Sequence, residues 1–179
     1  GARQSHGYGP ITISGIPHAT PSFCDSLAAL VLDEVKKNLQ ILPQDICIPM
    51  FNSAITGFQG GSDHYILSDP TIQIPTPMLG QWPDLTYHTS GDTMEVIDPY
   101  ILHKSASICA GYVYLLANLS ENDVPLILNK SRECFMGELS QSVRSAAEGL
   151  LTPRMLYEKI HHFSAYYQAC HASLLGFFE

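Results

Sequence analysis

Helix-start signals dominate the second half of this chain. Asp98-Pro99 and Thr152-Pro153 each put a side-chain acceptor at an N-cap and a proline in the first turn, where its missing N–H costs nothing. Asp123 with Pro125 forms a third such start. Behind Asp98, residues Leu102, Ser105, Cys109, Tyr112 and Leu116 recur at spacings of three and four, which predicts a largely buried helix. Behind Asp123, Leu128, Phe135, Leu139, Val143, Ala146 and Leu150 mark an apolar stripe. Behind Thr152, Leu156, Ile160, Phe163, Tyr167, Cys170 and Leu174 alternate by four and three, as in a helix packed lengthwise on a neighbour. Residues 120–179 are therefore expected to form a helical hairpin appended to the unit made by residues 1–119.

That first unit reads differently. Ile11 to Ser14 is a β-prone run closed by Gly15, and Ser22 offers an N-cap for a helix over Phe23 to Gln40. Leu27, Leu30, Val31, Val35 and Leu39 share one face of that helix, while Asp25, Asp33 and Glu34 read as solvated charges. Ile46 to Phe51 predicts a second strand, with Pro49 pointing to a sheet edge or an irregular stretch. Glycines and prolines make most of Gly57 to Pro83 a loop, with Thr71 to Ile74 its one strand-like run. The order strand, helix, strand, loops, helix gives an α/β layered fold.

Composition removes several function classes. With 45% hydrophobic and 15% charged residues the chain can bury a core. Seventeen acidic against nine basic residues, a net charge of -8, exclude binding that depends on neutralising phosphates, so no nucleic-acid partner is expected. Each apolar run is broken well short of the roughly 20 residues that cross a bilayer, so no membrane span is expected. Cys24, Cys47, Cys109, Cys134 and Cys170 contain no C-x-x-C pair and read as mostly buried thiols. His161, His162 and His171 lack the i, i+4 spacing of a helical metal pair and read as structural.

Chemistry concentrates in Gly60-Gly-Ser-Asp-His-Tyr65, Ile74-Pro75 and Tyr87-His-Thr-Ser-Gly-Asp-Thr93. A neutral imidazole ligates zinc, but a zinc site takes three or four ligands, so a single loop histidine defines none. The three segments in this order resemble the co-catalytic zinc aminopeptidases, whose superfamily includes leucyl aminopeptidases, glutamate carboxypeptidases and transferrin receptors. The resemblance runs from about Pro10 to Leu119. It implies part of a three-layer α/β/α domain, His88 as a zinc ligand and Tyr87 as a donor to the oxyanion of a tetrahedral intermediate. It also implies a peptide substrate contacted by Ser62, Asp63 and His64, two zinc ions in the whole protein, and a structural role for Asp92 beside His88.

The resemblance is incomplete. The His-x-Asp, bridging Asp, Glu-Glu and later Asp elements of that family have no counterpart here. The expectation is a C-terminal piece of a zinc exopeptidase that is inactive alone. One alternative is a non-catalytic binding or assembly module, with the helical hairpin joining copies into a homo-oligomer. The other is a glutaminyl-cyclase-like acyl transferase using a single zinc.

Overall fold

The computed structural model describes residues 1–37 and 51–179. Leu39 and most of the expected strand Ile46 to Phe51 lie outside the described residues. The expected first strand forms as β1, Ile11–Ser14. It lies at the centre of a three-stranded sheet between β2, Ser53–Thr56, and β3, Met78–Gln81. The β1–β2 pair is parallel, with Ile11 opposite Ser53, and β1–β3 is antiparallel, with Ile11 opposite Gln81. The architecture is thus mixed α/β, as the order of elements predicts.

The strand expected at Thr71 to Ile74 is instead a turn. The Asp69 carboxylate accepts from the Thr71 N–H at 2.8 Å and the Thr71 hydroxyl at 2.5 Å, curling the chain on itself. Gln73 then adopts φ 59° and returns its N–H to the Asp69 carbonyl at 2.7 Å. The strand after this loop is instead Met78–Gln81, a segment with no β-branched residue to announce it.

Side chains alternate across β1. Ile11 and Ile13 pack into a core with Ala28, Val31 and Leu32 of helix α1, Cys24–Lys37, and with Ile101 and Ile108 of a later helix. Ser14 is tied into the loop after β2: its hydroxyl donates to the Gly57 carbonyl at 3.2 Å and accepts from the Gln59 N–H at 2.9 Å. Two glutamine side chains fasten the N-terminal segment to the sheet. Gln4 exchanges hydrogen bonds with the backbone of Asn52 at 2.7 and 2.6 Å, and Gln81 does so with Ala2 at 2.6 and 3.0 Å.

After the one-turn helix α2, His64–Leu67, comes α3, Pro99–Ala117, capped by the Asp98 carboxylate accepting from the N–H groups of Tyr100 and Ile101. Its buried face matches the expected one only in its second half. Tyr112 and Leu116 pack against the core as expected, but in the first half Ile101, Lys104 and Ile108 face inward, while Leu102 is 50% exposed and Cys109 is exposed. Helix α3 meets α1 and β1 on one side only, and the opposite side, carrying Leu102, Val113 and Tyr114, faces outward.

The expected hairpin forms from α4, Val124–Ala147, and α5, Pro153–Leu175. A capping box between Ser120 and Asp123 starts the first, and the Thr152 side chain accepts from the Met155 N–H at the start of the second. The hairpin docks on α1: Phe23, Leu27, Ile127 and Leu174 form one buried cluster, and the Phe23 N–H donates to the Ser173 hydroxyl at 2.9 Å. Lys130 of α4 pairs with Asp33 of α1. Val143 and Leu150, expected in the apolar stripe of α4, are exposed, and the buried positions are Ile127, Ser131 and Ser142. Among the described residues, no helix is long and apolar enough to cross a membrane.

Candidate functional site

The Tyr87-His88 motif follows β3. The chain is held to the start of β1 by the Gly9 N–H donating to the Pro83 carbonyl at 2.8 Å. The Asp84 carboxylate then accepts from the Thr86 N–H at 2.9 Å and the Thr86 hydroxyl at 3.1 Å, closing an Asx turn. Thr89 returns both its N–H and its hydroxyl to the Thr86 carbonyl, at 2.9 and 2.7 Å. Tyr87 and His88 are thereby pinned at the crest of a turn. His88 adopts φ 58°, a left-handed conformation uncommon for any residue but glycine. Its ring stacks on Tyr87 with centroids 3.8 Å apart, and Trp82 meets Tyr87 edge-on at 6.0 Å. Trp82 and Tyr87 are 59% and 52% exposed, so the crest displays an aromatic surface beside an accessible imidazole. Asp92 is exposed on the same loop.

The Ser62-Asp63-His64 segment follows β2. Ser62 and Asp63 are exposed, whereas His64 is buried. Its Nε2 lies 2.7 Å from the Gln59 carbonyl, and because a carbonyl only accepts, Nε2 carries the proton. Nδ1 is buried and has no partner among the described residues. Phe58 lies against both His64 and Tyr65. In this arrangement His64 braces its loop, and Ser62 and Asp63 are the members open to a ligand.

The two motifs leave the sheet at opposite ends. β3 runs antiparallel to β1 and β2 parallel to it, so the chain after Gln81 emerges beside Ile11 and the chain after Thr56 emerges beside Ser14. At about 3.3 Å per residue the strands alone separate the two exits by roughly 10 Å. Among the described residues no group of three or more His, Cys, Asp or Glu side chains is gathered to hold a metal ion. A lone imidazole stacked on a tyrosine does not by itself fit a two-zinc site.

A second constellation lies at the C-terminal ends of β1 and β2. Asp25, in the first turn of α1, is mostly buried rather than solvated. Its carboxylate accepts from the Ile16 N–H, at 3.0 Å on Oδ1 and 3.3 Å on Oδ2, and from the Tyr166 hydroxyl at 3.3 Å on Oδ2. Burial outweighs these hydrogen bonds and pushes the Asp25 carboxyl up to about 6. Gly15 fits here because a Cβ at its position would stand 2.9 Å from Asp25 Oδ2. His18 stacks on Tyr166 at 4.2 Å and its Nδ1 lies 2.9 Å from His162 Nε2. Burial, then the His162 ring, hold His18 below its ordinary value. Burial also raises the Tyr166 hydroxyl and takes the Cys170 thiol up to about 11. The sequence reading missed this cluster because it grouped Asp25 with Asp33 and Glu34 as charges, whereas helical spacing puts Asp25 on the side of the buried Ala28, Ala29 and Leu32. The one local signal was the run of small and turn-forming residues around Gly15 that lets the backbone approach the carboxylate.

No family model, curated protein or solved structure matches this chain.

Proposed function

We propose that the chain supplies part of a zinc exopeptidase of the aminopeptidase type, contributing His88 as one metal ligand and Tyr87 beside it. The conformation of His88 carries this reading. A histidine at φ 58° costs stability that glycine would spare, and the turn around it is over-determined by Asp84, Thr86 and Thr89. Strain of this kind clusters at active sites, and what separates His88 from Gln73, which shares the conformation at φ 59°, is that His88 sits beside exposed Tyr87 and Trp82. On this reading the sheet with α1 and α3 belongs to a three-layer α/β/α domain, the remaining ligands come from polypeptide outside these 179 residues, and a peptide is the substrate. The hairpin α4–α5 is the surface through which copies would associate. No catalytic step is assigned to residues of this chain alone.

The test uses the longest polypeptide that the gene encodes. Zinc content by elemental mass spectrometry and hydrolysis of aminoacyl p-nitroanilides are measured for the parent and His88→Ala. The expected result is bound zinc and activity that falls by about 100-fold or more on substitution. A zinc-free, inactive polypeptide, or activity indifferent to His88, overturns the proposal. The zinc-free, inactive result would favour a non-catalytic binding module, a reading supported by the separation of the Tyr87-His88 and Ser62-Asp63 loops at opposite ends of the sheet.

A further inference from the structure

A cavity of about 290 Å³ lies at the C-terminal ends of β1 and β2, between the start of α1 and helices α4 and α5. It does not involve His88, so its occupancy is independent of the peptidase reading. Such a volume lies at the lower edge of the roughly 300–1,000 Å³ typical of small-molecule sites. Its position obeys the rule that ligands of α/β sheets bind beyond the carboxyl ends of parallel strands.

The walls select a charge. Asp25 and Glu138 both face the cavity, and no Lys or Arg is among the described residues that line it. An anion would therefore meet two carboxylates and no counter-charge. Tyr166, Tyr167 and His18 supply ring surface on the same walls. Asp25 still has accepting capacity: a carboxylate takes about four hydrogen bonds, and among the described residues only the Ile16 N–H and the Tyr166 hydroxyl donate to it. An ammonium group offers three donors and a charge that aromatic faces attract.

We propose that this cavity binds a small organic ammonium ion, with Asp25 as its counter-ion and hydrogen-bond acceptor, Glu138 at the rim, and Tyr166 and Tyr167 as its aromatic walls. The ammonium could be a free amine or the N-terminus of a short peptide, and the test separates these sources.

Gly137 provides a clean block. It lines the cavity on α4, and a Cβ added there meets nothing within 4 Å. Gly137→Leu occupies the space while improving helix propensity, so it should fold at least as well as the parent. Asp25→Asn keeps the shape and removes the charge. Binding of phenethylamine, 1,4-diaminobutane and alaninamide is measured by calorimetry and by ligand-observed NMR, with 3-phenylpropionate as the anion of matching shape. The expected result is a dissociation constant below about 1 mM for at least one amine. Binding should be abolished in Gly137→Leu at unchanged melting temperature, weakened about tenfold or more in Asp25→Asn, and absent for the carboxylate. Tighter binding of the free amines than of alaninamide assigns the site to amines, and the reverse assigns it to peptide N-termini. The proposal is overturned if no amine binds, if both variants bind as the parent does, or if 3-phenylpropionate binds equally well.

Discussion

The Asp25 carboxylate and the Tyr166 hydroxyl meet at 3.3 Å across 141 residues of sequence, joining the first helix to the last. The contact leaves Asp25 short of the stabilisation its charge would need, because burial holds its carboxyl at about 6 against 3.8 in the open chain. Between these values the folded state keeps a proton that the unfolded state has released. Stability from this group therefore falls as pH rises from about 4 to 6 and stays low above that, by on the order of 3 kcal/mol. His18 contributes with the opposite sign, since burial and the His162 charge hold it below its ordinary value and make acid unfavourable to the fold. The difference between parent and Asp25→Asn removes that contribution. Urea unfolding at pH 5 and pH 8 should show Asp25→Asn gaining on the parent at pH 8, with the gain shrinking at pH 5. A difference that does not change with pH would show Asp25 to be solvated.

His88 offers a test of strain against function. Left-handed backbone costs an L-residue roughly 1–2 kcal/mol, less for His than for β-branched residues. At φ 58°, His88→Gly should leave stability unchanged or raise it by up to about 1 kcal/mol, and His88→Val should lower it by at least that much. Thermal melts of the two variants read this directly. A His88→Gly variant that melts lower than the parent would mean the imidazole itself holds the turn together, and strain would then no longer mark this position for chemistry.

Legibility in the sequence followed the range of the interactions. Asp98, Ser120 with Asp123, and Thr152 act on backbone within three residues, and the helices they start appear where the sequence places them. The strand Ile11–Ser14 was similarly plain, being a short β-prone run closed by a glycine. The face of a helix is less secure, because a stripe of threes and fours can be displaced by one residue without changing its period. Leu102 and Ile101 both fit helical stripes on α3, and only the presence of α1 and β1 on one side decides for Ile101. At the candidate sites the motif at Tyr87-His88 was visible as residues, but its position relative to Ser62-Asp63 depended on whether β3 runs with or against β1. Asp25 was hidden for the same reason: its partner Tyr166 comes from a helix whose docking no local signal encodes.

Gly9 marks where β1 and β3 are brought together. A Cβ at this position would stand 2.0 Å from the Trp82 carbonyl oxygen, and the obstacle is backbone, not a side chain that could swing away. Gly9→Ala should therefore break the Gly9 to Pro83 hydrogen bond, which measures 2.8 Å, and splay the strand ends. The expected loss is about 3 kcal/mol or more, read as a lower urea midpoint or as insoluble protein. Gly57→Ala is the control, since nothing lies within 4 Å of its added Cβ, and it should stay within about 0.5 kcal/mol of the parent.

Leu174 tests whether the hairpin and the α/β layer unfold as one body. It is 0% exposed and packs with Phe23 and Leu27 of the α1 region and Ile127 of α4. Leu174→Ala should cost about 2–5 kcal/mol through lost burial and the cavity it leaves. The chain has one tryptophan, Trp82, directly after β3, so its fluorescence reports on the sheet while far-ultraviolet circular dichroism reports mainly on the helices. If docking through Phe23, Ser173 and the Lys130–Asp33 pair couples the two parts, both signals should shift to the same lower urea midpoint in the variant. Movement of the dichroism transition alone would show the hairpin to be an independent folding unit, and the shared core around Leu27 would then contribute little to the stability of the sheet.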